Sequence, residues 1–306
     1  MITQKSLHII LFFFAALSGC AQVQITSPEK LVLPESGKFY HPKLDESGSQ
    51  ILLTSENYTG LQLYNLQTKE LKMISEGNGA GYSPFVSDDG GTIIFTQNEY
   101  IQNRLFSKLM AYHVPSGATE QLAPAVRDLS ALFHTRDQMV YRADGQMKTA
   151  RIGPGTSGSS GEMAVGIDDR KLMVYAAGQT KRLDPLENES YIWPSVSPDG
   201  KRILAYAMGK GAFICDPEGK LIAELGNLEA PVWVDNGHIA GMVTKDNGHQ
   251  ITASEIVMIN IRTDKKLTIS PKGVISMYPS VSLPNKKMAF QSMDGDIYIL
   301  TYNITP

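Results

Sequence analysis

The chain contains 306 residues, of which 19% are charged, and its formal net charge at pH 7 is −3. A small negative charge without a long run of like charges argues against nucleic acid or an anionic membrane surface as a binding partner. The length, filled by one array of repeats, indicates a single domain.

Residues 1–19 have the features of a bacterial lipoprotein signal peptide. Lys5 supplies the positive charge near the start, and residues 7–17 form an apolar stretch too short to span a membrane as a mature helix. Leu17-Ser18-Gly19-Cys20 resembles a lipobox, in which Cys20 is diacylated on sulfur and becomes the first mature residue. An ordinary secretory signal followed by a chance cysteine is the alternative. We expect residues 20–28 to be the lipidated cysteine and a short tether.

The residues around Cys20 also predict the compartment. Ala21 stands where enterobacterial lipoproteins kept from the outer membrane carry Asp, and no acidic cluster of the surface-export kind follows. We therefore expect an outer-membrane lipoprotein that faces the periplasm. Loss of residues 1–19 removes Lys5 and no acid, which makes the mature net charge about −4. With Cys20 lipidated, Cys215 has no disulfide partner, and we expect it to be a buried apolar side chain.

One phrase recurs along the rest of the chain, and its clearest copy is Trp193–Leu204, Trp-Pro-Ser-Val-Ser-Pro-Asp-Gly-Lys-Arg-Ile-Leu. Four further copies carry an equivalent anchor proline. The five anchor prolines are Pro42, Pro84, Pro194, Pro231 and Pro279. A sixth copy, near residues 129–141, has lost the proline and the glycine. Short strands and tight turns that recur every 40 to 50 residues or so are typical of a β-propeller.

Each copy predicts the first two strands of a four-stranded antiparallel blade. The anchor proline begins an inner strand, where no ladder N–H is needed, and Asp-Gly forms a tight turn because Gly accepts a positive φ. Residues 60–66 and 69–74 alternate apolar and polar side chains as two outer strands do. Because residues 29–34 resemble such an outer strand, we expect them to complete the last blade and close the ring.

The number of blades follows from the spacing of the anchors. The 110 residues between Pro84 and Pro194 leave room for two blades and an insertion, which gives six blades in residues 29–306. In this count, residues 171–183 are the outer hairpin of the extra blade. The Gly/Ser-rich residues 153–161 are predicted to form a surface loop.

The phrase Pro-x-Val-Ser-Pro-Asp-Gly-Lys-x-Ile resembles the WD40-like (PD40) repeat of TolB-type six-bladed propellers. Residues 191–204 match it closely, residues 82–95 and 278–290 match well, and the rest match in part. The resemblance implies the fold but not the function, because one fold hosts many activities. The chain has no room for the additional N-terminal domain of TolB, nor for the hydrolase domain of propeller-bearing peptidases.

The residues just before each anchor are predicted to meet at one mouth of the central channel, and aromatic residues recur among them. Aromatic side chains are enriched at binding hot spots because they bury a large area at a low entropy cost. The predicted partner-binding residues are Tyr40, His41, Tyr82, Asp128, Trp193, Glu229 and Tyr278. The alternative is that these side chains pack between blades. Trp233 is expected to be a core residue.

Metal and catalytic sites are not predicted. His41 and His134 lie on or near inner strands, where oligogalacturonate lyases bind metal through histidines, but no closely spaced histidine pair exists. Asp294-Gly295-Asp296 is read as a turn, because the rest of a calcium loop is missing. Residues 153–161 contain no nucleophile elbow and no phosphate loop. We therefore expect no cofactor.

The sequence favours a binding module over an enzyme. We expect a monomer, held to the membrane through the lipid on Cys20, that docks an envelope protein or peptide at the channel mouth. A glycan-binding lipoprotein that uses Tyr and Trp as stacking platforms is one alternative. A carbohydrate-active lyase or hydrolase is the other, and it would require the two acids predicted at the mouth, Asp128 and Glu229, to lie together.

Overall fold

The computed structural model describes residues 22–33, 37–87, 89–135, 138–152, 163–176 and 179–305. These residues form an all-β propeller of seven antiparallel blades around a central channel. The signal peptide, Cys20 and the Gly/Ser-rich residues 153–161 lie outside the described residues.

Each blade is numbered in chain order after the N-terminal strands, and its strands run from the channel outwards. The first half contains β1 (Gln22–Ile25) and β2 (Glu29–Lys30); in blade 1, β3 (Tyr40–Leu44), β4 (Gln50–Thr54), β5 (Leu61–Asn65) and β6 (Leu71–Ser75); in blade 2, β7 (Phe85–Val86), β8 (Thr92–Ile101), β9 (Arg104–His113) and β10 (Ala118–Val126); and in blade 3, β11 (Ser130–His134), β12 (Gln138–Ala143) and β13 (Gln146–Arg151). A single 3-10 turn, Glu56–Tyr58, lies between β4 and β5.

The second half contains, in blade 4, β14 (Ala164–Asp168), β15 (Lys171–Ala176) and β16 (Gln179–Leu183); in blade 5, β17 (Tyr191–Val196), β18 (Ile203–Ala207), β19 (Gly211–Cys215) and β20 (Leu221–Gly226); in blade 6, β21 (Glu229–Trp233), β22 (His238–Asp246), β23 (Ile251–Asn260) and β24 (Lys266–Thr268); and in blade 7, β25 (Ser276–Ser282), β26 (Lys287–Ser292) and β27 (Ile297–Thr305).

Local hydrogen bonds explain why the repeated phrase folds as strand, turn and strand. In blade 5 the Ser197 hydroxyl donates to Asp199 at 2.6 Å and accepts from the backbone N–H of Arg202 at 2.9 Å. Gly200 between them has a φ of 68°, which Gly adopts at no steric cost. Ser87 and Asp89 form the same bond at 2.6 Å in blade 2. The Ser-x-Asp-Gly part of the phrase is therefore a turn that joins the first two strands.

The N-terminal segment closes the ring, as the sequence predicts for residues 29–34. Glu29 pairs with Ile299 and Lys30 with Tyr298, so β2 adds an outer strand to blade 7. The closure begins earlier than predicted, because residues 22–25 of the expected tether pair with residues 302–305 as β1. Lys30 also bonds the carboxylate of Asp296 at 2.8 Å, in the turn before β27. Residues 294–296 thus form the expected turn.

The two faces of the ring follow from the direction of the strands. The inner strands of the blades begin at one face, called here the mouth face. The second strand of each blade runs back to this face, so the turns between second and third strands also lie there. The Asp-Gly turns lie on the opposite face. Because β27 runs from the mouth face to the opposite face, its partner β1 begins at the opposite face, where Gln22 pairs with Thr305.

The predicted number of six blades is wrong. The residues between Pro84 and Pro194 form blade 2, blade 3 and blade 4, and residues 164–183 are a whole blade rather than an outer hairpin. Within the described residues, blades 3 and 4 have three strands each. Neither has an anchor proline, which is why the spacing of prolines did not reveal both of them.

The hydrophobic core is divided among the seams between blades. Each of the seven apolar clusters in the described part of the chain joins the facing sides of two neighbouring blades. Cys215 is fully buried in the seam of blades 4 and 5, and its burial raises the pKa of the thiol to about 12. Trp233 is buried in the seam of blades 5 and 6, as predicted. Among the described residues, no helix has the length and apolar character needed to span a bilayer.

Candidate functional site

The residue before each anchor proline has a left-handed backbone. The φ angles are 49° at His41, 47° at Ser83, 53° at Trp193, 44° at Ala230 and 53° at Tyr278. In blades 1, 5, 6 and 7 the pairing of the inner strand also shifts register at this point, which marks a β-bulge. Left-handed non-glycine residues cost roughly 1–3 kcal/mol each, and bulges redirect side chains. In each of the five anchored blades, the repeated phrase therefore holds one residue with a strained backbone at the mouth.

His41 lies between two tyrosines from different parts of the ring. Its ring centroid is 4.4 Å from that of Tyr58, in stacked geometry, and 4.4 Å from that of Tyr278 in blade 7. Tyr58 in turn packs edge-on against Tyr82, with 5.1 Å between centroids. The backbone N–H of His41 donates to the side-chain oxygen of the buried Gln291. These contacts join blades 7, 1 and 2 into one aromatic surface.

Trp193 forms a second aromatic pair, with Tyr206 of β18, at 5.5 Å between ring centroids. Burial, and then the nearby charge of Glu229, raise the pKa of both Tyr206 and Tyr278. The hydroxyl of Thr244 donates to Glu229 at 2.9 Å and fixes the carboxylate. Trp193 and Tyr278 pack against the same core cluster, in the seam of blades 6 and 7.

The two groups make up what we call the aromatic arc, which follows the mouth from blade 5 through blades 6, 7 and 1 to the start of blade 2. Its members are His41, Tyr58, Tyr82, Trp193, Tyr206 and Tyr278. Tyr82 is 60% exposed, and the other five side chains are partly buried. Partly exposed aromatic rings with one buried side are the usual anchors of a binding surface.

The protonation state of His41 is set by the arc. Burial lowers the pKa of this imidazole to about 4. His41 is therefore neutral at pH 7 and contributes a flat ring rather than a charge. Burial also raises the pKa of Tyr58, so its phenol stays neutral. At pH 7 the aromatic arc is an uncharged surface beside one carboxylate, that of Glu229.

Two of the predicted site residues have structural contacts away from the arc. Tyr40 lies against the β26–β27 turn, where a Cβ on Gly295 would come within 3.1 Å of the Tyr40 ring, so it packs between blades 7 and 1. Asp128 accepts the backbone N–H groups of Asp144 and Gly145 at 2.8 and 2.7 Å, and these bonds lower the pKa of its carboxyl. Asp128 thus holds the β12–β13 turn of blade 3.

Two long hairpins project from the mouth face beside the arc. They are formed by the second and third strands of blades 2 and 6. In blade 5, which has a short hairpin, β18 ends four residues after Ile203, the partner of Val196. In blade 2, β8 ends eight residues after the equivalent Ile93, and in blade 6, β22 ends seven residues after Ile239. The extra residues extend these hairpins by roughly 10–13 Å at about 3.3 Å per residue. The tip of the blade 2 hairpin presents Tyr100, 70% exposed, to solvent.

Sequence reasoning missed Tyr58, Tyr206 and both long hairpins. Tyr58 and Tyr206 lie where the second strand of a blade ends at the mouth. The prediction considered only the residues before the anchor prolines, which are at the start of the inner strand. The blade 2 hairpin carried one local signal, Gln102-Asn103, whose φ angles of 50° and 60° form the two-residue turn between β8 and β9.

In the described ranges, the histidines and acids considered as metal-binding or catalytic candidates are not brought together. These ranges contain no group of three or more His, Cys, Asp or Glu side chains that could hold a metal ion. His134 packs edge-on against Phe85 at 5.4 Å. Asp128 and Glu229, the pair that a hydrolase would need, lie in blades 3 and 6 with separate partners.

Comparisons with known proteins show the fold alone. No family model and no curated protein matches the chain. An oligogalacturonate lyase from Vibrio parahaemolyticus is 12% identical, with a TM-score of 0.55, over 91% of this chain and 98% of its own. The β-propeller domain of Myceliophteria thermophila Cps50 (Swd1) is 9% identical, with a TM-score of 0.58, over 92% and 99%. The β-propeller domain of the trilobed protease from Pyrococcus furiosus is 12% identical, with a TM-score of 0.58, over 87% and 97%.

These structures include enzymes and a WD40-type propeller, so they establish a β-propeller without selecting an activity. The resemblance to TolB-type proteins is retained only in part. The WD40-like repeat does form propeller blades, but the ring has seven of them rather than six, and no family model of that type matches.

Proposed function

We propose that this protein is a lipid-anchored docking module of the bacterial cell envelope, which faces the periplasm and binds a protein or peptide at its channel mouth. The observation that carries the proposal is the aromatic arc, built on left-handed residues that the blades themselves do not require. Backbone strain of this kind persists where the surrounding structure and a function maintain it.

The anchoring part of the proposal comes from the lipobox-like residues 17–20 and is supported by the topology. Gln22, two residues after Cys20, begins β1 at the face opposite the mouth. Two residues span at most about 7 Å. A lipid on Cys20 would therefore hold the opposite face against the outer membrane and leave the aromatic arc and both long hairpins turned away from the lipid surface.

A protein or peptide ligand is favoured by the shape and chemistry of the mouth. The arc provides flat apolar faces, and the two long hairpins form walls beside it. Glu229 contributes one acceptor, already oriented by Thr244. Interfaces that bind polypeptides are rich in Tyr and Trp at their centres and polar at the rim. Asp128 and Glu229, the two acids predicted at the mouth, have separate partners on blades 3 and 6, and we place no catalytic step in the function.

A glycan is the second candidate ligand, because the partly exposed rings of Trp193 and Tyr206 pack together and the charge of Glu229 acts on Tyr206. An aromatic face with an adjacent hydrogen-bond acceptor suits a sugar ring and its hydroxyl groups. The two candidates differ in extent, since a sugar would use this end of the arc and a polypeptide would span the arc from blade 5 to blade 2.

The proposal is tested by crosslinked capture from envelopes with the full-length protein. Wild type is compared with the Trp193→Ala, Tyr278→Ala double variant after both are shown to be folded. We expect a specific protein to be recovered with wild type and lost with the double variant. A matched control, Met147→Ala with Leu221→Ala, removes exposed apolar side chains from blades 3 and 5 away from the arc and should retain the protein.

Recovery of the same proteins with both the double variant and wild type would overturn docking at the mouth. In that case, binding of the purified protein to a glycan array, lost in Trp193→Ala, would support the second candidate instead.

A further inference from the structure

The position directly after each anchor proline faces the next blade along the wall of the channel. Its occupants in the five anchored blades are Lys43, Phe85, Ser195, Val232 and Ser280. They pair with equivalent residues of the second strands, which places them at the same depth below the mouth. Lys43 is the one charged member of this set of five, and it lies two residues after His41 of the aromatic arc.

The ammonium group of Lys43 has more N–H donors than its contacts within the protein use. Its ammonium donates to the carbonyl oxygen of Pro84 at 2.6 Å and lies 5.3 Å from the centre of the Phe85 ring. A lysine ammonium has three N–H donors, so two remain after the bond to Pro84. Within the described ranges, no carboxylate lies within 4.0 Å of its nitrogen. Among the described residues, the contacts of the positive charge are thus a carbonyl dipole and an aromatic face.

Lys171 differs from Lys43 in having a carboxylate as its partner. Lys171 in blade 4 is likewise partly buried, with 19% of its side chain exposed, and it pairs with Asp184 at 2.6 Å. A buried cation without a counter-ion is costly, and an anion that reaches it gains more than it would at the surface. Burial lowers the pKa of Lys43 to about 8, which still leaves it charged at pH 7.

We propose that Lys43 binds a carboxylate of the ligand at the mouth, either the C-terminal carboxylate of a peptide or an acidic side chain within it. This inference rests on the proposed docking function and specifies its partner as a peptide with an anion next to an aromatic or apolar residue. The apolar residue packs on His41 and Tyr278, and the carboxylate reaches the two free donors of Lys43 in the channel below.

The position of Glu229 agrees with this assignment. Glu229 is engaged by Thr244 on blade 6, while Lys43 is on blade 1, so an anionic group is repelled from one end of the arc and attracted to the other. This separation of charge would orient a peptide along the arc, with its anionic end toward blades 1 and 2.

The test uses three peptides that differ in charge: acetyl-Ala-Ala-Tyr with a free carboxylate, the same peptide as its amide, and acetyl-Ala-Glu-Tyr amide. Affinities for the full chain are measured by calorimetry. We expect at least one carboxylate peptide to bind wild type about tenfold more tightly than the neutral amide, as a charge-assisted hydrogen bond implies. The free-acid and Glu peptides distinguish a terminal carboxylate from an acidic side chain.

Two variants provide the comparison. Lys43→Met should abolish the preference for the carboxylate while leaving the affinity for the amide within about twofold. Lys287→Met is the matched control, because Lys287 is also partly buried and donates to a carbonyl, that of Gly48 at 2.8 Å, on the opposite face. It should leave the preference unchanged. If Lys43→Met does not fold, Lys43→Gln takes its place.

Equal affinity of all three peptides for wild type, or a preference that persists in Lys43→Met, would overturn the role of Lys43. Neither result would affect docking at the aromatic arc, which Tyr278→Ala reports separately by weakening all three peptides alike. Failure of wild type to bind either carboxylate peptide would also overturn this inference, whereas the envelope capture remains the test of the docking function.

Discussion

The five anchored blades and the two blades without an anchor proline form the same ring but differ in how their inner strands begin. Blades 1, 2, 5, 6 and 7 begin with an anchor proline and have a left-handed residue before it. Blades 3 and 4 have no anchor proline, and their described residues form three strands each. The inner strand of blade 4 pairs in continuous register, whereas that of blade 3 shifts register between Ala131 and Phe133. Both kinds of blade close the ring and bury apolar side chains at their seams.

The difference separates what builds a blade from what builds the mouth. Because blades 3 and 4 form without the proline and the left-handed residue, these features are not required for the blade itself. What they produce is a set of redirected side chains at the mouth, and the aromatic arc follows the anchored blades only. We infer that the anchor phrase is retained for the mouth, at a cost in backbone strain.

The largest expected effect concerns the cores of the two regions. Phe213 in blade 5 and Phe133 in blade 3 are 1% and 2% exposed. Phe213→Ala should lower the free energy of unfolding by about 4 kcal/mol, since the seam of blades 4 and 5 is extensively packed. Phe133→Ala should cost about 3 kcal/mol or less, because among the described residues the seam of blades 3 and 4 has the fewest buried apolar side chains and can relax more. Urea unfolding measures both, and a larger loss for Phe133→Ala would contradict the difference.

Trp193→Ala tests whether the arc contributes to stability as well as binding. Its indole packs against Tyr206 and the seam of blades 6 and 7, yet it is partly exposed. We expect a loss of about 2 kcal/mol, between the values for a surface and a core residue. Met147→Ala, in blade 3 and 44% exposed, should stay within about 0.5 kcal/mol. A loss of about 4 kcal/mol for Trp193→Ala would identify it as a core residue instead of a binding anchor.

Because the anchor residues have a strained backbone, replacing serine by glycine should change the free energy of unfolding in opposite directions in an anchored blade and in blade 3. Ser83 is exposed and left-handed, so Ser83→Gly should raise the free energy of unfolding by about 0.5–1 kcal/mol. Ser130, in the inner strand of blade 3, has no positive φ, and Ser130→Gly should lower it by a similar amount. The midpoint of thermal unfolding reports both. Destabilisation by Ser83→Gly would show that the left-handed backbone carries no strain.

An effect that is absent at neutral pH and develops only in acid is a pH dependence from His41. Its pKa in the folded protein, about 4, is below the usual 6.5, so the unfolded chain binds a proton first as the pH falls. Stability contributed by neutral His41 is thus complete above pH 6.5 and is lost as the pH falls toward 4. His41→Gln should show a shallower loss of stability over this range. Parallel stability profiles for the two proteins would contradict the burial of His41 between its tyrosines.

The sequence predicted the propeller fold correctly but not the number of its blades. The Ser-x-Asp-Gly turns and the anchor prolines follow from local backbone chemistry, so the propeller and its N-terminal closure were predictable. The count of blades was not, because blades 3 and 4 are defined by apolar packing at their seams rather than by a turn or a proline. Nothing local in residues 164–176 distinguishes the inner strands of a blade from an outer hairpin.

The candidate site was predictable where it depends on the anchor phrase and not elsewhere. His41, Trp193 and Tyr278 follow from their place before a proline. Tyr58 and Tyr206 join them from loops and strand ends, and only the three-dimensional return of the second strand brings them to the mouth. Asp128 could not be assigned from the sequence, because its partners, Asp144 and Gly145, lie in a turn of its own blade.

Photo-crosslinking from single positions tests most directly whether the anchored half of the mouth is the docking surface. Benzoylphenylalanine is placed in the full-length protein in cells at Tyr58 or Tyr82 of the aromatic arc, and at Met147 or Thr180 of blades 3 and 4. We predict a crosslinked partner from Tyr58 and Tyr82 and none from the other two positions. Crosslinks from Met147 or Thr180 alone, or equally from all four, would contradict a binding surface built by the anchored blades.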